Sequence, residues 1–250
     1  MTKAASRNTE TSKTPKADAN KVLAELRAVA DGDIAAHAQR FFKTGPGEYA
    51  AGDCFLGLRV PTIRALVKRY RHLSLDETVK LLSSRFHEAR LFALLMLVEQ
   101  YKTADAQGRT RIFHHYLDKL EQINNWDLVD CSAPAVVGAY LTDKDRALLY
   151  QLAGSENLWR RRIAIMATFF MIKRNDFEDA LAIAALLRND PHDLIHKATG
   201  WMLREIGKRD YAAEKRFLDK YYRGMPRTML RYAIERVPEK QRQAYLRGTA

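Results

Sequence analysis

The feature that most constrains the fold is the spacing of apolar residues, which recur at positions i, i+3, i+4 and i+7 from about Ala19 onward. This spacing collects apolar side chains on one face of an α-helix, whereas a half-buried strand would alternate them. No convincing alternating segment lies beside it, so the sequence predicts an all-α fold. The predicted helices are Asn20–Ala30, Pro61–Tyr70, Leu75–Leu82, Glu88–Tyr101, Arg109–Leu120, Leu158–Ile172, Phe177–Leu187, Asp193–Ile206 and Ala212–Tyr221.

Some of these helices resemble one another at a regular interval. Ala93 and Ala164 are 71 residues apart, close to two periods, and Ala164 and Ala198 are 34 apart. Such a period is typical of HEAT-like helix pairs, which bury their apolar faces only against their neighbours. We therefore predict a HEAT-like helical-repeat solenoid with a concave basic groove over residues 18–250, with an irregular all-α bundle as the alternative. The similar segments are HEARLFALLMLVEQY, LWRRRIAIMATFFMIKR and HKATGWMLREIGKR.

Two segments lack helical periodicity. Residues 1–17 are polar and rich in Thr, Ser and Lys, so we predict a disordered tail there. Residues 43–60 (KTGPGEYAAGDCFLGLRV) form a long irregular stretch before Pro61. Loops of this length in a compact domain are usually functional or flexible.

The charge balance indicates the class of partner. Forty-two Lys and Arg against 30 Asp and Glu leave a net charge of +12, which favours a polyanion, DNA or RNA, as the partner. A membrane is disfavoured because no segment approaches the roughly 20 apolar residues of a membrane span. Cys54 and Cys131 form neither a disulfide framework nor a CxxC pair, and no signal peptide is evident. We expect a cytoplasmic protein.

The segment NNWDLVDCSA at 124–133 contains the strongest candidate for chemistry. Asn124 or Asn125 is suited to begin a helix, and Trp126 and Asp130 then share one face because they are four residues apart. Pro134 lacks the amide that would bond the Asp130 carbonyl, so the regular helix should be disturbed there. The pattern predicts an aromatic ring and a carboxylate presented together. The alternative is that Trp126 anchors the helix and Asp130 caps a helix or pairs with an arginine.

Two further helix starts carry cations. Three consecutive arginines begin the segment LWRRRIAI, and at most two of them can line one groove because they face directions about 100° apart. Arg162 suits a phosphate or groove contact because its forked donors match anions. Lys197 and Trp201 share the next candidate face at i, i+4.

Trp126, Arg162 and Trp201 are separated by 36 and 39 residues, about one repeat each. Residues one repeat apart lie side by side in a solenoid. We therefore expect two tryptophans, Asp130 and an arginine to converge on the concave face, where aromatic rings and a carboxylate can recognise a cation. His192 and His196 have a metal-ligand spacing without a third ligand, and no Gly-rich phosphate loop or nucleophile motif occurs. No metal or cofactor is predicted.

Four segments, in this order and spacing, resemble the DNA alkylation repair family of AlkD-like glycosylases over about Leu23 to Val237. The resemblance implies a HEAT-like superhelix that holds duplex DNA and a monofunctional glycosylase acting on cationic N3- and N7-alkylpurines. It assigns the catalytic aspartate to Asp130 and the cleft tryptophans and arginine to Trp126, Trp201 and Arg162. The segments are FLGLRVPTIR (55–64), NNWDLVD (124–130), LWRRRIAI (158–165) and KATGWMLRE (197–205).

One position departs from the family pattern, since Phe41 stands where the family has a cleft tyrosine. The ring is kept and the hydroxyl is lost. With Lys197 on the same groove, the expected protein is a monomer that binds alkylated double-stranded DNA in the nucleoid. Two other functions stay open: a non-catalytic DNA-binding paralogue that recognises distorted or branched DNA, and a HEAT-type protein-interaction scaffold.

Overall fold

A computed structural model describes residues 17–250, and no strand occurs within that range, where a single parallel β-bridge joins Cys54 and Phe86. The predicted tail, except for Ala17, lies outside the described residues. The α-helices are α1 Ala19–Ala28, α2 Gly32–Phe41, α3 Val60–Arg69, α4 Leu75–Leu82, α5 His87–Thr103, α6 Ala106–Asp118, α7 Trp126–Ala133, α8 Ala139–Leu141, α9 Ala147–Ala153, α10 Leu158–Ala167, α11 Phe169–Ile172, α12 Glu178–Leu186, α13 Asp193–Gly207, α14 Tyr211–Tyr221, α15 Arg227–Ala233 and α16 Glu239–Arg247.

Polar side chains at the helix starts explain why these segments begin where they do. Each accepts a hydrogen bond from an amide of the first turn, a group that has no partner within the helix. The capping residues with this bond include Asp18, Asp31, Ser74, Asp105, Asn125, Asn157 and Asp210. Short 3-10 segments follow several of the helices, and a π-helical segment, Pro134–Gly138, follows α7.

The helices stack in pairs along the chain. α5, α7, α10, α13 and α15 pack each against the next, and α4, α9 and α14 pack against α5, α10 and α13 respectively. The buried apolar residues form one continuous core from Ala19 to Tyr245. The prediction of an all-α helical-repeat fold is confirmed. Among residues 17–250, no helix has both the length and the apolar character needed to cross a bilayer.

The structure contains helices that were not predicted, namely α2, α8, α9, α15 and α16, and it divides one predicted helix. α2 was not predicted, because the segment GDIAAHAQRF has few large apolar residues and buries only Ala35. The predicted helix Leu158–Ile172 is divided at Thr168, whose buried hydroxyl donates to the Ile165 carbonyl at 2.7 Å. A side chain bonded to the backbone in this way competes with the regular helical ladder.

The long irregular segment is an ordered loop of residues 42–59, referred to below as the 42–59 loop. Glu88, buried at the start of α5, accepts hydrogen bonds from the amides of Leu56, Gly57 and Leu58 at 2.8, 2.8 and 3.2 Å. Gly57 has a φ of 85°, and a Cβ there would lie 1.9 Å from the Asp31 carbonyl oxygen. Only glycine fits this close approach.

Candidate active site

The first turn of α7 presents Trp126 among aromatic rings. The Oδ1 atom of buried Asn125 accepts a hydrogen bond from the Trp126 amide at 2.8 Å, which fixes the helix start. The Trp126 ring stacks on Phe42 at a centroid distance of 5.2 Å and meets Phe41 edge-on at 6.1 Å. Phe41 is 57% exposed, so this aromatic cluster reaches the protein surface.

Asp130, one turn further along α7, is bound to Arg162. The Nε and Nη2 atoms of Arg162 donate to the two carboxylate oxygens at 2.9 and 2.7 Å, a bidentate arrangement. The remaining Nη1 atom donates to the Leu194 carbonyl at the start of α13. One buried guanidinium therefore connects α7, α10 and α13, and it is occupied by protein groups rather than directed at solvent.

The Asp130 carboxylate lies in a desolvated environment. Its side chain is 17% exposed, and burial raises the pKa of Asp130 while the Arg162 guanidinium opposes that rise. The negative charge of Asp127 adds to the increase. The ionised form of such a carboxylate has lost much of its hydration, which strengthens its interaction with any positive charge that develops nearby.

Trp201 and Lys197 lie on the same face of α13, as their spacing predicts. The Trp201 indole N–H donates to Glu205 at 3.2 Å, and its ring packs against Phe169 at a centroid distance of 5.9 Å. The Lys197 ammonium pairs with Asp193 at 2.8 Å, so its charge is partly neutralised.

Five of the six predicted site residues line one cavity of about 430 Å³. The sixth, Asp130, is not part of the cavity wall and meets it through Arg162. Predicted residues from α2, α7, α10 and α13 therefore meet in this cavity. The cavity is lined by Phe41, Tyr49, Trp126, Arg162, Leu194, Lys197, Ala198, Trp201 and Tyr232.

Sequence reasoning missed two phenols in this cavity. Tyr49 lies in the 42–59 loop, where its ring meets Trp159 edge-on at 5.8 Å, and burial raises its pKa while the Trp126 side chain opposes that rise. Tyr232 lies on α15 beside Gly200, where the two helices approach closely. Neither has a helical spacing to the predicted residues, so no periodic signal could have found them.

Several cations proposed from sequence are already paired within the protein. Arg160 pairs with Glu121 at 2.6 Å and Arg161 with Asp190 at 2.6 Å, so neither extends freely from the start of α10.

A different set of cations lines two further cavities, and we call it the basic strip. Two cavities of about 550 and 480 Å³ share Lys102 and continue along α3, α5, α7 and α11. Except for Lys102, which pairs with Glu99, none of these cations forms an ion pair within residues 17–250. The basic strip consists of Arg64, Lys68, Arg71, Lys102, Arg109, Lys173 and Arg174. The i, i+4, i+7 spacing of its first three members is a signal that sequence analysis could have used.

Comparison with known proteins identifies the family. The family model described as DNA alkylation repair enzyme matches residues 22–237. The chain belongs to the DNA alkylation repair enzyme family. Its fold is similar to that of a solved structure, a predicted DNA alkylation repair enzyme from Enterococcus faecalis, with a TM-score of 0.65 and 16% identity over 84% of this chain and 97% of that one. A search of curated proteins found no match.

The match spans α1 to α15 and therefore includes every predicted site residue and the whole basic strip. Membership in the DNA alkylation repair family indicates DNA as a partner of this chain.

Proposed function

We propose that this family member is a monofunctional DNA glycosylase that hydrolyses the N-glycosidic bond of cationic N3- and N7-alkylpurines in duplex DNA. It would act as a monomer without a cofactor. The observation that carries the proposal is the aromatic cavity, whose wall includes Arg162, with Asp130 bound to that arginine behind the wall. DNA alkylation repair supplies the substrate class, and the residues suggest the chemistry.

The chemistry requires little from the protein. A purine alkylated at N3 or N7 carries a positive charge and leaves as a neutral base, so no acid has to protonate it. As the glycosidic bond breaks, positive charge develops on the sugar, and the enzyme lowers the barrier by stabilising that charge. A fixed carboxylate is the group suited to this task.

Asp130 can serve this role while bound to Arg162. A carboxylate has about four lone-pair sites, and the bidentate contact uses two of them, so the others can orient the attacking water. The two hydrogen bonds from Arg162 favour the ionised form of Asp130, which burial disfavours, and they fix the direction of the carboxylate. The developing charge then meets an anion that needs no reorganisation.

The aromatic rings fit a cationic base. Trp126, Trp201 and Tyr232 lie around one cavity, and their ring faces attract positive charge by cation–π interaction. The two positive groups of the cavity wall, Arg162 and Lys197, are each paired with a carboxylate, which limits their repulsion of such a base.

The basic strip fits the phosphate backbone. Its cations Arg64, Lys68 and Arg71 line the cavity that contains Cys131, the neighbour of Asp130 in sequence. A duplex that presents a lesion to the aromatic cavity would extend along them. Counterion release from these contacts would supply affinity that does not depend on sequence.

The decisive experiment is Asp130→Asn in single-turnover release of 7-methylguanine and 3-methyladenine from methylated duplex DNA. We expect the rate to fall on the order of 10²-fold or more with little change in duplex binding, because Asn keeps the size and loses the charge. Trp126→Ala and Trp201→Ala should each cost roughly 10-fold, the effect of losing a contact of about 1 kcal/mol. Asp118→Asn, at an exposed site that has no ion-pair partner among residues 17–250, is the matched control.

The second candidate function, non-catalytic DNA binding by a protein of the same fold, predicts a different result. It would need the basic strip but not Asp130, which would then act only as the structural partner of Arg162. A folded Asp130→Asn protein with wild-type release would remove Asp130 from catalysis, and a wild-type protein that binds duplex DNA without releasing either base would favour this second function. A duplex containing uracil serves as the control substrate, since its base is neutral.

A further inference from the structure

His87 is a buried histidine whose two ring nitrogens both face carboxylates. Its Nδ1 atom lies 3.0 Å from Asp53 of the 42–59 loop, and its Nε2 atom lies 2.8 Å from Asp127 of α7. The side chain is 2% exposed and lines none of the cavities described above. His87 therefore joins the loop to the helix that carries Trp126 and Asp130, without reaching the substrate surface.

The geometry requires a charged ring. A neutral imidazole has one protonated nitrogen, so one of the two contacts would set a lone pair against a carboxylate oxygen, whereas an imidazolium donates to both. Burial alone would lower the pKa of His87, but the hydrogen bonds to Asp127 and Asp53 outweigh it and raise the pKa to about 9. The ring is a cation at neutral pH.

The charges around His87 balance. Asp53 also accepts from Arg90 at 2.6 Å, so the buried group contains two anions and two cations. Glu88, the next residue of α5, is engaged by the loop amides, and α2 and the loop contribute uncharged rings. Loss of the His87 proton would leave Asp127 without its cation, and the charge of Asp127 acts directly on Asp130.

A second connection runs through stacked rings. His87 stacks on Phe55 at a centroid distance of 4.4 Å, Phe55 on Phe42 at 5.0 Å, and Phe42 on Trp126 at 5.2 Å. The rings of Phe42 and His87 also lie against each other, with their centroids 5.1 Å apart. The imidazolium is thus connected to Trp126 in two ways. One connection runs through Asp127, which is next to Trp126 in sequence, and the other runs through Phe42, whose ring stacks on Trp126.

We propose that His87 is a positioning residue, a buried cation that fixes Trp126 and the first turn of α7 against the 42–59 loop and so aligns the site for excision. The effect on catalysis rests on the proposed glycosylase function; the effect on Trp126 does not. Because His87 lies away from the substrate surface, its charge should influence the single-turnover rate and leave duplex affinity nearly unchanged.

The first arm of the test uses NMR of the wild-type protein and needs no activity. With ¹⁵N-labelled histidine, His87 should carry protons on both ring nitrogens at pH 7.5 and titrate near pH 9. The indole N–H resonance of Trp126, identified by its absence from the Trp126→Phe spectrum, should shift with the same midpoint. A neutral His87 ring at pH 7.5, or a Trp126 resonance that ignores the titration, would overturn the proposal.

The second arm measures single-turnover excision across pH 6 to 10. Wild type should lose rate as pH rises through about 9, and His87→Gln should be slower by about tenfold at pH 7.5 and lack that transition, as expected when a site is misaligned. The double variant His87→Gln/Asp127→Asn, which replaces the ion pair by neutral amides, should recover part of the rate. His114→Gln, an exposed histidine, is the control.

The outcomes separate the two proposals. A folded His87→Gln protein with the wild-type rate and pH profile would refute positioning while glycosylase activity stands. A wild-type protein that excises nothing, but whose Trp126 resonance follows His87, would refute the glycosylase function while the positioning of Trp126 stands. If His87→Gln does not fold, the wild-type titration still decides whether Trp126 responds to the charge on His87.

Discussion

Glu214 gives a stability prediction whose size follows from the structure. Its side chain is buried on α14, and its Oε1 atom has no hydrogen-bond partner in the part of the chain that the structure describes. A Cβ on Gly207 would lie 1.8 Å from its Oε2 atom. Burial raises the pKa of Glu214 from an ordinary 4.5 to about 8, and the Arg204 guanidinium opposes the rise. The folded protein therefore holds this carboxyl in its neutral form at pH 7.

The sign of the pH effect follows from linkage. Because the folded pKa is raised, the stability that Glu214 contributes is complete below pH 4.5 and is lost as pH rises toward 8. At about 1.4 kcal/mol per pKa unit, the loss between pH 5 and pH 7.5 is about 3 kcal/mol. Gln keeps the shape and cannot ionise, so Glu214→Gln should not show this loss.

The assay is urea unfolding of wild type and Glu214→Gln at pH 5 and pH 7.5. The variant should gain about 3 kcal/mol relative to wild type between the two pH values, whatever the substitution does by itself. Glu156→Gln, at an exposed glutamate, should change in parallel with wild type. If the free energy of unfolding of Glu214→Gln also changed with pH in parallel with wild type, Glu214 would titrate normally in the folded state and the reasoning would be refuted.

Two further predictions concern the scaffold and the DNA surface. Gly200→Ala would bring a Cβ to 2.4 Å from the Met229 carbonyl oxygen, so the free energy of unfolding should fall by about 1–3 kcal/mol, the usual cost of overpacking. A Gly200→Ala protein as stable as wild type would contradict the close packing of α13 and α15. Gly32→Ala, whose Cβ would meet nothing within 4 Å, is the control. The double variant Arg64→Ala/Lys68→Ala should reduce the slope of log affinity against log salt by about 2 if each cation contacts one phosphate. Fluorescence anisotropy at several salt concentrations measures the slope, Arg216→Ala on α14 is the control, and an unchanged slope in the double variant would exclude this part of the basic strip.

The helical fold was predictable because it depends on a pattern that is local in sequence. Periodic apolar residues and capping side chains specify where most helices lie, and a repeat of about 35 residues specifies that they stack in order. The same spacing predicted that Trp126, Arg162 and Trp201 would meet, and they line one cavity. α2 was missed because a helix that buries one alanine has almost no periodic signal.

The remainder of the site depends on contacts between residues far apart in sequence. The sequence allowed Asp130 to pair with an arginine but did not indicate that Arg162 binds both of its oxygens. Nothing local indicates that Tyr49 enters the cavity or that His87 lies between two aspartates. The roles of the cations were similarly ambiguous, because a lysine or arginine at a helix start gives the same sequence pattern whether its side chain faces DNA or a buried carboxylate. Only the packing of neighbouring helices separates the paired arginines from those of the basic strip.

The 42–59 loop makes this molecule unlike an ordinary stack of repeats. A solenoid whose units touch only their neighbours can gain or lose a unit during evolution with little change to the rest. Here Tyr49 contacts Trp159 on α10 and His192, the residue before α13, both of which lie several helices further along the chain. Insertion or deletion of a helix pair between them would separate Tyr49 from those partners, so we expect members that keep this loop to conserve the number of pairs it crosses and to vary in length only beyond its ends.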